Sequence, residues 1–143
     1  MDTRAAASPA GSPLAAIDMG SNSFRLEIAQ VSKRQGPQSY QRVDYIKETV
    51  RLGAGLDANG LLTEPAQQRG LDCLARFAQR LAGFDTRQVR AVATQTLREA
   101  RNRDVFLQRA HKVLGFPIDV ISGREEARLI YQGVAHLLPQ SDE

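Results

Sequence analysis

One stretch decides the fold of this chain: Ala15-Ala16-Ile17-Asp18-Met19-Gly20-Ser21-Asn22-Ser23-Phe24-Arg25-Leu26. An apolar strand runs into an Asp-x-Gly-Ser-Asn-Ser turn and a second strand begins at once, which predicts a hairpin. Gly20 lets the backbone approach an anion closely, and successive N–H groups and hydroxyls can then donate to phosphate oxygens. Asp18, at the end of the first strand, would face the metal ion or water that accompanies such a phosphate. The candidate phosphate-binding residues of the turn are Gly20, Ser21, Asn22 and Ser23.

The same turn also fits a polar hairpin that binds nothing. Asn, Ser and Gly are ordinary turn formers, so their presence does not require a ligand. Taken by itself, the turn supports the two interpretations about equally.

Size and composition indicate one ordinary globular domain. The chain has 143 residues, of which 42% are hydrophobic and 24% charged, and its net charge is +3. This mild positive charge suits a polyanionic phosphate, whereas the lack of a dense Lys/Arg block gives little support to nucleic-acid binding. No apolar run is long enough to span a bilayer, and residues 1–13 read as a flexible tail. The single Cys73, expected to be a small buried hydrophobe, fits a reducing compartment, which predicts a cytoplasmic location.

Hydrophobic periodicity and turn signals predict an α/β domain. An antiparallel meander of three strands comes first, at 14–19, 24–31 and 38–49. Thr63 can cap a helix to about Leu81, and Asn102 can cap another through about Val113. Further strands are expected at 89–93 and 118–121, followed by a last helix from Ser122 to about Leu138. The predicted architecture is a mixed five-stranded sheet with flanking helices over residues 14–138, between tails at 1–13 and 139–143.

Three further blocks accompany the hairpin: Val50-Arg51-Leu52-Gly53-Ala54-Gly55-Leu56, Ala93-Thr94-Gln95-Thr96-Leu97-Arg98-Glu99-Ala100 and Ile121-Ser122-Gly123-Arg124-Glu125-Glu126-Ala127-Arg128-Leu129-Ile130. With these blocks in this order, the chain resembles the exopolyphosphatase / guanosine-pentaphosphate phosphohydrolase family of the actin, sugar-kinase and heat-shock-ATPase fold group. The resemblance implies a ribonuclease-H-like N-terminal lobe whose first phosphate loop is the Gly20 turn. The family's second glycine-rich loop, Asp-Ile-Gly-Gly-Gly-Ser, does not occur before Glu143, so we expect the second lobe to be missing from this chain.

The last helix offers two neighbouring glutamates. Ser122 and Glu125 fit a capping box, which gives Glu125 a structural role. Glu126 lies at the edge of the predicted packed face, where partial burial raises the pKa of a carboxyl group and suits a general base. From the residues alone, Glu126 is more simply a first-turn carboxylate that complements the helix dipole. The resemblance instead implies that Glu126 is the catalytic glutamate.

Arg98 is the second catalytic candidate. Thr96-Leu97-Arg98-Glu99 has the form of a capping box, which would place a cation in the first turn of a helix. A cation there opposes the helix dipole unless an anion docks at that end, and the planar guanidinium suits phosphate. A solvated arginine stays the alternative. Thr94 ends the fourth strand and would line the same cleft, although capping of the strand end explains it equally well.

The function implied by the resemblance is hydrolysis of terminal phosphate from inorganic polyphosphate or guanosine pentaphosphate. Water would attack phosphorus with help from Mg²⁺, the phosphate loop, Arg98 and Glu126, and Asp18 would help to bind Mg²⁺ through water. A lobe without its partner lobe is expected to be inactive by itself. Two other classes stay open: a phosphotransferase lobe of the same fold group, and a non-catalytic module that binds polyphosphate or a guanosine alarmone.

The expected partners follow from the same resemblance. They are a polyanionic phosphate substrate and the second lobe, with a homodimer of the full-length protein left open. Neither nucleic acid nor a membrane span is expected.

Overall fold

A computed structural model describes residues 12–31, 40–93, 97 and 99–121 of the chain. The strands in these ranges are β1 (Pro13–Met19), β2 (Ser23–Val31), β3 (Tyr40–Thr49), β4 (Val89–Ala93) and β5 (Asp119–Val120). They form a five-stranded sheet in the order β3-β2-β1-β4-β5. β2 pairs antiparallel with β1 and β3, whereas β4 pairs parallel with β1 and β5. The predicted α/β class and mixed sheet are confirmed.

The helices α1 (Glu64–Arg80) and α2 (Arg103–Leu114) complete the core, with short 3-10 turns at Gly53–Gly55 and Thr86–Gln88. Thr63 caps α1 as predicted, because its Oγ1 accepts a hydrogen bond from the Ala66 N–H at 3.3 Å. α2 ends at Gly115, whose φ of 89° is the left-handed geometry that stops a helix.

The core lies on one face of the sheet. Alternate residues of a strand point to the same face, and in β1 and β2 the alternate apolar residues are nearly inaccessible to solvent. They pack in one cluster with buried aromatic side chains from the helices: Ile17, Met19, Phe24, Leu26, Phe77 and Phe106. The opposite alternation leaves Asp18 and Arg25 on the other face, where both side chains are partly exposed.

Asn102 precedes α2 as predicted, but the expected side-chain cap is wrong. Its Oδ1 accepts a hydrogen bond from the Leu62 N–H at 2.9 Å, and its Nδ2 donates to the Leu62 carbonyl at 3.1 Å. The side-chain amide therefore ties the start of α2 to the segment before α1. Leu62 lies 40 residues earlier in the chain, so the local sequence gave no sign of this competing partner.

Cys73 is fully buried in the core, as predicted. Burial raises the pKa of the thiol to about 12, and the neighbouring Glu48 carboxylate acts in the same direction. The thiol is therefore protonated at neutral pH and packs as a small apolar group.

Some predicted features fall outside the described residues, namely the last helix over 122–138, the tail at 139–143 and nearly all of the tail at 1–13. β5 is shorter than predicted, because only Asp119 and Val120 pair with β4. None of the helices in the described ranges has both the length and the apolar character needed to cross a membrane.

Candidate functional site

The parallel strands bring three chain segments to one edge of the sheet. Met19 pairs in register with Ala93, and Ala93 with Val120, so the carboxyl ends of β1, β4 and β5 lie side by side. Ligands of open α/β sheets bind outside this edge. The hairpin at residues 20–23 continues directly from β1 and therefore lies there.

The other predicted site residues come, in the sequence, after strands that end at this edge. Thr94 comes directly after Ala93, Arg98 comes a little later, and Glu126 comes after β5. All three lie outside the described residues, as does Glu125. The structure therefore brings together Asp18 and the hairpin, and the roles of Thr94, Arg98 and Glu126 stay predictions.

The hairpin is closed by a bond between Gly20 and Ser23. The Gly20 N–H donates to the Ser23 carbonyl at 3.0 Å. A Cβ atom placed on Gly20 would lie 3.0 Å from that same oxygen, tighter than ordinary contact. Glycine is thus required here for close approach of the two backbones. Ser21 and Asn22 at the tip are exposed, while Ser23 is 8% exposed.

The carbonyl groups of the hairpin tip are turned toward the segment that follows β3. The Asn22 carbonyl accepts from the N–H groups of Val50 at 2.9 Å and Arg51 at 2.8 Å, and the Ser21 carbonyl accepts from the Gly53 N–H at 2.8 Å. In a trans peptide the C=O and the following N–H point in opposite directions. The N–H groups of Asn22 and Ser23 therefore point away from this segment.

These outward N–H groups form the chemical feature that suits phosphate. Within the described residues, no acceptor bonds to the Asn22 N–H. Successive N–H groups that point in one direction create a small region of positive potential that binds anions. The role of the hairpin residues as a phosphate loop stays a prediction.

The segment at residues 50–55, here called the buttress, fits tightly between the hairpin and α1. Arg51 has a φ of 57°, and in the described ranges it alone among non-glycine residues has a positive φ. A Cβ atom on Gly55 would overlap the Cβ of Ala66 in the first turn of α1. The carbonyl of Gly55 also accepts from the Thr63 N–H at 2.9 Å, so the buttress is bonded on both sides.

Asp18 lies at the base of the hairpin, where one carboxylate oxygen has no partner within the described ranges. Its Oδ2 lies 3.8 Å from Nη1 of Arg25, which pairs with it in the β1–β2 register. Its Oδ1 is buried and has no hydrogen-bond partner among the described residues. Buried polar atoms are normally satisfied, so such an oxygen is a candidate ligand for a cation or a water.

The residues present fit a Mg²⁺ ion held jointly with a phosphate. Among the described residues, no three His, Cys, Asp or Glu side chains are grouped to hold a metal on their own. Mg²⁺ usually takes one or two carboxylates and completes its shell with water and substrate phosphates. The open oxygen of Asp18 would supply such a carboxylate beside the outward N–H groups of the hairpin.

Sequence reasoning missed Arg25 and Arg69. Arg25 follows the hairpin in the quoted stretch, and its position opposite Asp18 could have been found by pairing the two strands across the turn. Arg69 on α1 donates to main-chain carbonyls of the buttress. Every residue has a main-chain carbonyl group, so the residue types in the sequence do not indicate this contact.

Comparison with known proteins identifies relatives of this chain. The profile of the Ppx/GppA phosphatase family matches residues 28–143. A protein of Vibrio vulnificus named guanosine-5'-triphosphate,3'-diphosphate pyrophosphatase is 53% identical over 126 residues, which are 87% of this chain and 24% of that protein. A protein of Photobacterium profundum with the same name is 50% identical over 133 residues, which are 92% of this chain and 26% of that protein. The chain thus spans about a quarter of the length of these curated relatives.

Solved structures of Ppx/GppA and exopolyphosphatase proteins are also similar to this chain. The Aquifex aeolicus PPX-GPPA enzyme is 31% identical with a TM-score of 0.73, covering 87% of this chain and 40% of that chain. An exopolyphosphatase from Cytophaga hutchinsonii is 33% identical with a TM-score of 0.72, covering 85% of this chain and 38% of that chain. Because the family profile covers most of its length and its fold matches that of these solved structures, the chain belongs to the Ppx/GppA phosphatase family.

Proposed function

We propose that this chain is the N-terminal, phosphate-binding lobe of a phosphohydrolase that releases terminal phosphate from inorganic polyphosphate or guanosine pentaphosphate. The observation that carries the proposal is the orientation of the hairpin, whose tip carbonyls bond to the buttress so that the Asn22 and Ser23 N–H groups point away from it. The names of the relatives, a guanosine-5'-triphosphate,3'-diphosphate pyrophosphatase and an exopolyphosphatase, support the two substrate classes.

In this proposal the hairpin binds the terminal phosphate. The N–H groups of Asn22 and Ser23 donate to its oxygens, with further donation from the hydroxyl groups of Ser21 and Ser23. Because these donors are fixed before the substrate arrives, they favour the charge that develops during phosphoryl transfer without reorganising. Asp18 would contribute its open oxygen to Mg²⁺, which when bound neutralises phosphate charge and favours attack by water.

The remaining roles belong to residues that come after β4 and β5 in the sequence. Arg98 would donate from its planar guanidinium to the transferred phosphoryl group, and Thr94 would line the cleft. Glu126 would hold the attacking water and accept its proton, the role of a general base.

A second lobe would close the site from the other side. The relatives are about four times as long as this chain, so the enzyme would place the substrate between this lobe and a second one. Positioning from both sides is what makes phosphoryl transfer fast, so the chain alone should bind phosphate compounds but turn them over slowly or not at all. A reducing cytoplasm suits the buried free thiol of Cys73.

The test measures release and binding side by side. Phosphate release from polyphosphate and from guanosine pentaphosphate is measured for the complete enzyme that carries this lobe, and binding of the same compounds is measured for the 143-residue chain. The proposal expects release by the complete enzyme and binding without release by the chain. Binding without release by both would favour the alternative, a non-catalytic module, and absence of binding by both would contradict a phosphate site.

A further inference from the structure

Arg69 contacts the buttress through one edge of its guanidinium group, the edge formed by Nε and Nη2. From the second turn of α1, its Nε donates to the Val50 carbonyl at 2.9 Å, and its Nη2 donates to the Arg51 carbonyl at 3.2 Å. The acceptors are consecutive main-chain oxygens, so one side chain fixes two adjoining peptide groups. A planar guanidinium can make both bonds at once, which a lysine ammonium on its flexible stem cannot reproduce.

Val50 and Arg51, whose carbonyl groups accept from Arg69, also hold the hairpin. The N–H groups of Val50 and Arg51 converge on the single carbonyl oxygen of Asn22 at 2.9 and 2.8 Å. Arg51 itself adopts the left-handed conformation, with φ 57°. Arg69, the buttress and the hairpin are therefore joined by an unbroken series of hydrogen bonds.

The backbone of the buttress adopts a conformation that its own sequence disfavours. A left-handed conformation is unfavourable for a residue with a Cβ atom, and it persists only where surrounding contacts fix it. The Arg51 N–H donates to Asn22, and the Arg51 carbonyl accepts from Arg69 and from the Ala54 N–H at 3.2 Å. Loss of the Arg69 bonds would leave the Val50 carbonyl without its Arg69 donor and the Arg51 carbonyl with the Ala54 N–H, so the peptide groups that hold the Asn22 carbonyl would be less firmly fixed.

We propose that Arg69 is a positioning residue for phosphate binding, which acts by orienting the Ser21–Asn22 and Asn22–Ser23 peptide groups through the buttress. The inference rests on the proposed function, since it assigns Arg69 to the same phosphate site. Within the described residues, the hydrogen bonds of Arg69 go only to carbonyl oxygens of the buttress, so its proposed role is to position the hairpin and not to contact the substrate. Its removal weakens binding because the Asn22 and Ser23 N–H groups no longer share one direction.

The experiment uses the chain itself, with inorganic tripolyphosphate as the ligand. Arg69→Ala removes both bonds, and Arg69→Lys keeps the charge with a single-point donor. The matched control is Arg80→Ala, because Arg80 lies on the same helix and pairs with Asp44 of β3, far from the hairpin. Amide hydrogen exchange of Val50 and Arg51 reports the buttress without any ligand, calorimetric titration reports the affinity, and thermal melts report stability.

In Arg69→Ala, we expect exchange at the Val50 and Arg51 amides to rise about tenfold and the tripolyphosphate Kd to rise about five- to tenfold, the scale of one or two lost hydrogen bonds. Arg69→Lys should recover part of both effects, and Arg80→Ala should lower the melting temperature without changing either. Unchanged amide exchange, or an unchanged Kd, in Arg69→Ala would overturn the inference about Arg69. Failure of the wild-type chain to bind tripolyphosphate would instead contradict the proposed function, on which the role of Arg69 in binding depends.

Discussion

Arg25 lies directly opposite Asp18 in the register of β1 and β2, with its Nη1 3.8 Å from Oδ2 of the aspartate. The second carboxylate oxygen, Oδ1, is buried and has no hydrogen-bond partner among the described residues. A buried carboxylate oxygen without a partner is unfavourable, and a cation or water relieves the cost. Asp18 thus has one oxygen that faces a protein cation and one buried oxygen that, without a partner among the described residues, is a candidate ligand for a cation or a water.

Asp18→Asn tests the open oxygen, because it keeps the shape of the side chain and removes its charge. We expect Mg²⁺ to strengthen tripolyphosphate binding by the wild-type chain and to have little effect in the variant. Stability without Mg²⁺ should change by no more than about 1 kcal/mol, since a partly exposed ion pair contributes little. Calorimetric titrations with and without Mg²⁺ decide the matter, with Asp44→Asn as the control. An unchanged Mg²⁺ effect in Asp18→Asn would remove Asp18 from the site.

Gly20→Ala and Gly55→Ala separate binding from packing. A methyl group on Gly20 would crowd the Ser23 carbonyl at 3.0 Å, which should open the hairpin and weaken tripolyphosphate binding about tenfold, at a cost in stability of about 1 kcal/mol. A methyl group on Gly55 would overlap Ala66 and should cost about 1–3 kcal/mol of stability. Urea unfolding measures the stability of both variants, and calorimetric titration measures their binding of tripolyphosphate. If Gly20→Ala binds as tightly as wild type, the close approach at the turn has no role in the site.

The pair of Glu48 and Arg76 gives a pH dependence with a definite sign. The hydrogen bond from Arg76 holds the pKa of the Glu48 carboxyl group below its ordinary value of 4.5, against the opposing effect of burial. A carboxyl group with a lowered pKa stabilises the fold above its unfolded pKa, and this stabilisation is lost as the pH falls through the folded pKa. We expect Glu48→Gln to be less stable than wild type by about 0.2–1 kcal/mol at neutral pH and to approach it in acid. Melts from pH 7 downward check this, and a difference that does not shrink below about pH 4 would contradict it.

Glu126→Gln and Glu125→Gln test the choice between the two glutamates in the complete enzyme. Loss of a general base should lower kcat about a hundredfold or more in Glu126→Gln, with little change in substrate affinity. Glu125→Gln should mainly lower stability, by about 0.5–1 kcal/mol, as a weakened helix cap. Steady-state kinetics and thermal melts of both variants give the answer. A dead Glu125→Gln beside an active Glu126→Gln would reverse the assignment.

The sheet and the hairpin could be predicted because their signals are local. The apolar run Val89–Ala93 has the predicted bounds of β4, and the Asp-x-Gly-Ser-Asn-Ser turn joins β1 to β2 as expected. Strand alternation and turn composition act over a few neighbouring residues, so one sequence suffices to read them.

The contacts that orient the hairpin could not be predicted in the same way. Arg69 lies 19 residues from Val50 and binds its main-chain oxygen, an acceptor that every residue possesses. The left-handed conformation of Arg51 likewise runs against the preference of an arginine and follows from its tertiary partners. Asn102 is a similar case, because its side-chain amide bonds to the main chain of Leu62 and does not cap the start of α2.

We expect the hairpin at residues 20–23 to bind phosphate through the N–H groups of Asn22 and Ser23. Amide NMR spectra of the chain, recorded during titration with tripolyphosphate, report on each of these groups separately. The largest shifts should fall on the amides of Asn22 and Ser23. This expectation would be contradicted if those amides stayed unchanged while the shifts concentrated on the exposed arginines that pair with β2 and β3, namely Arg42, Arg76 and Arg80.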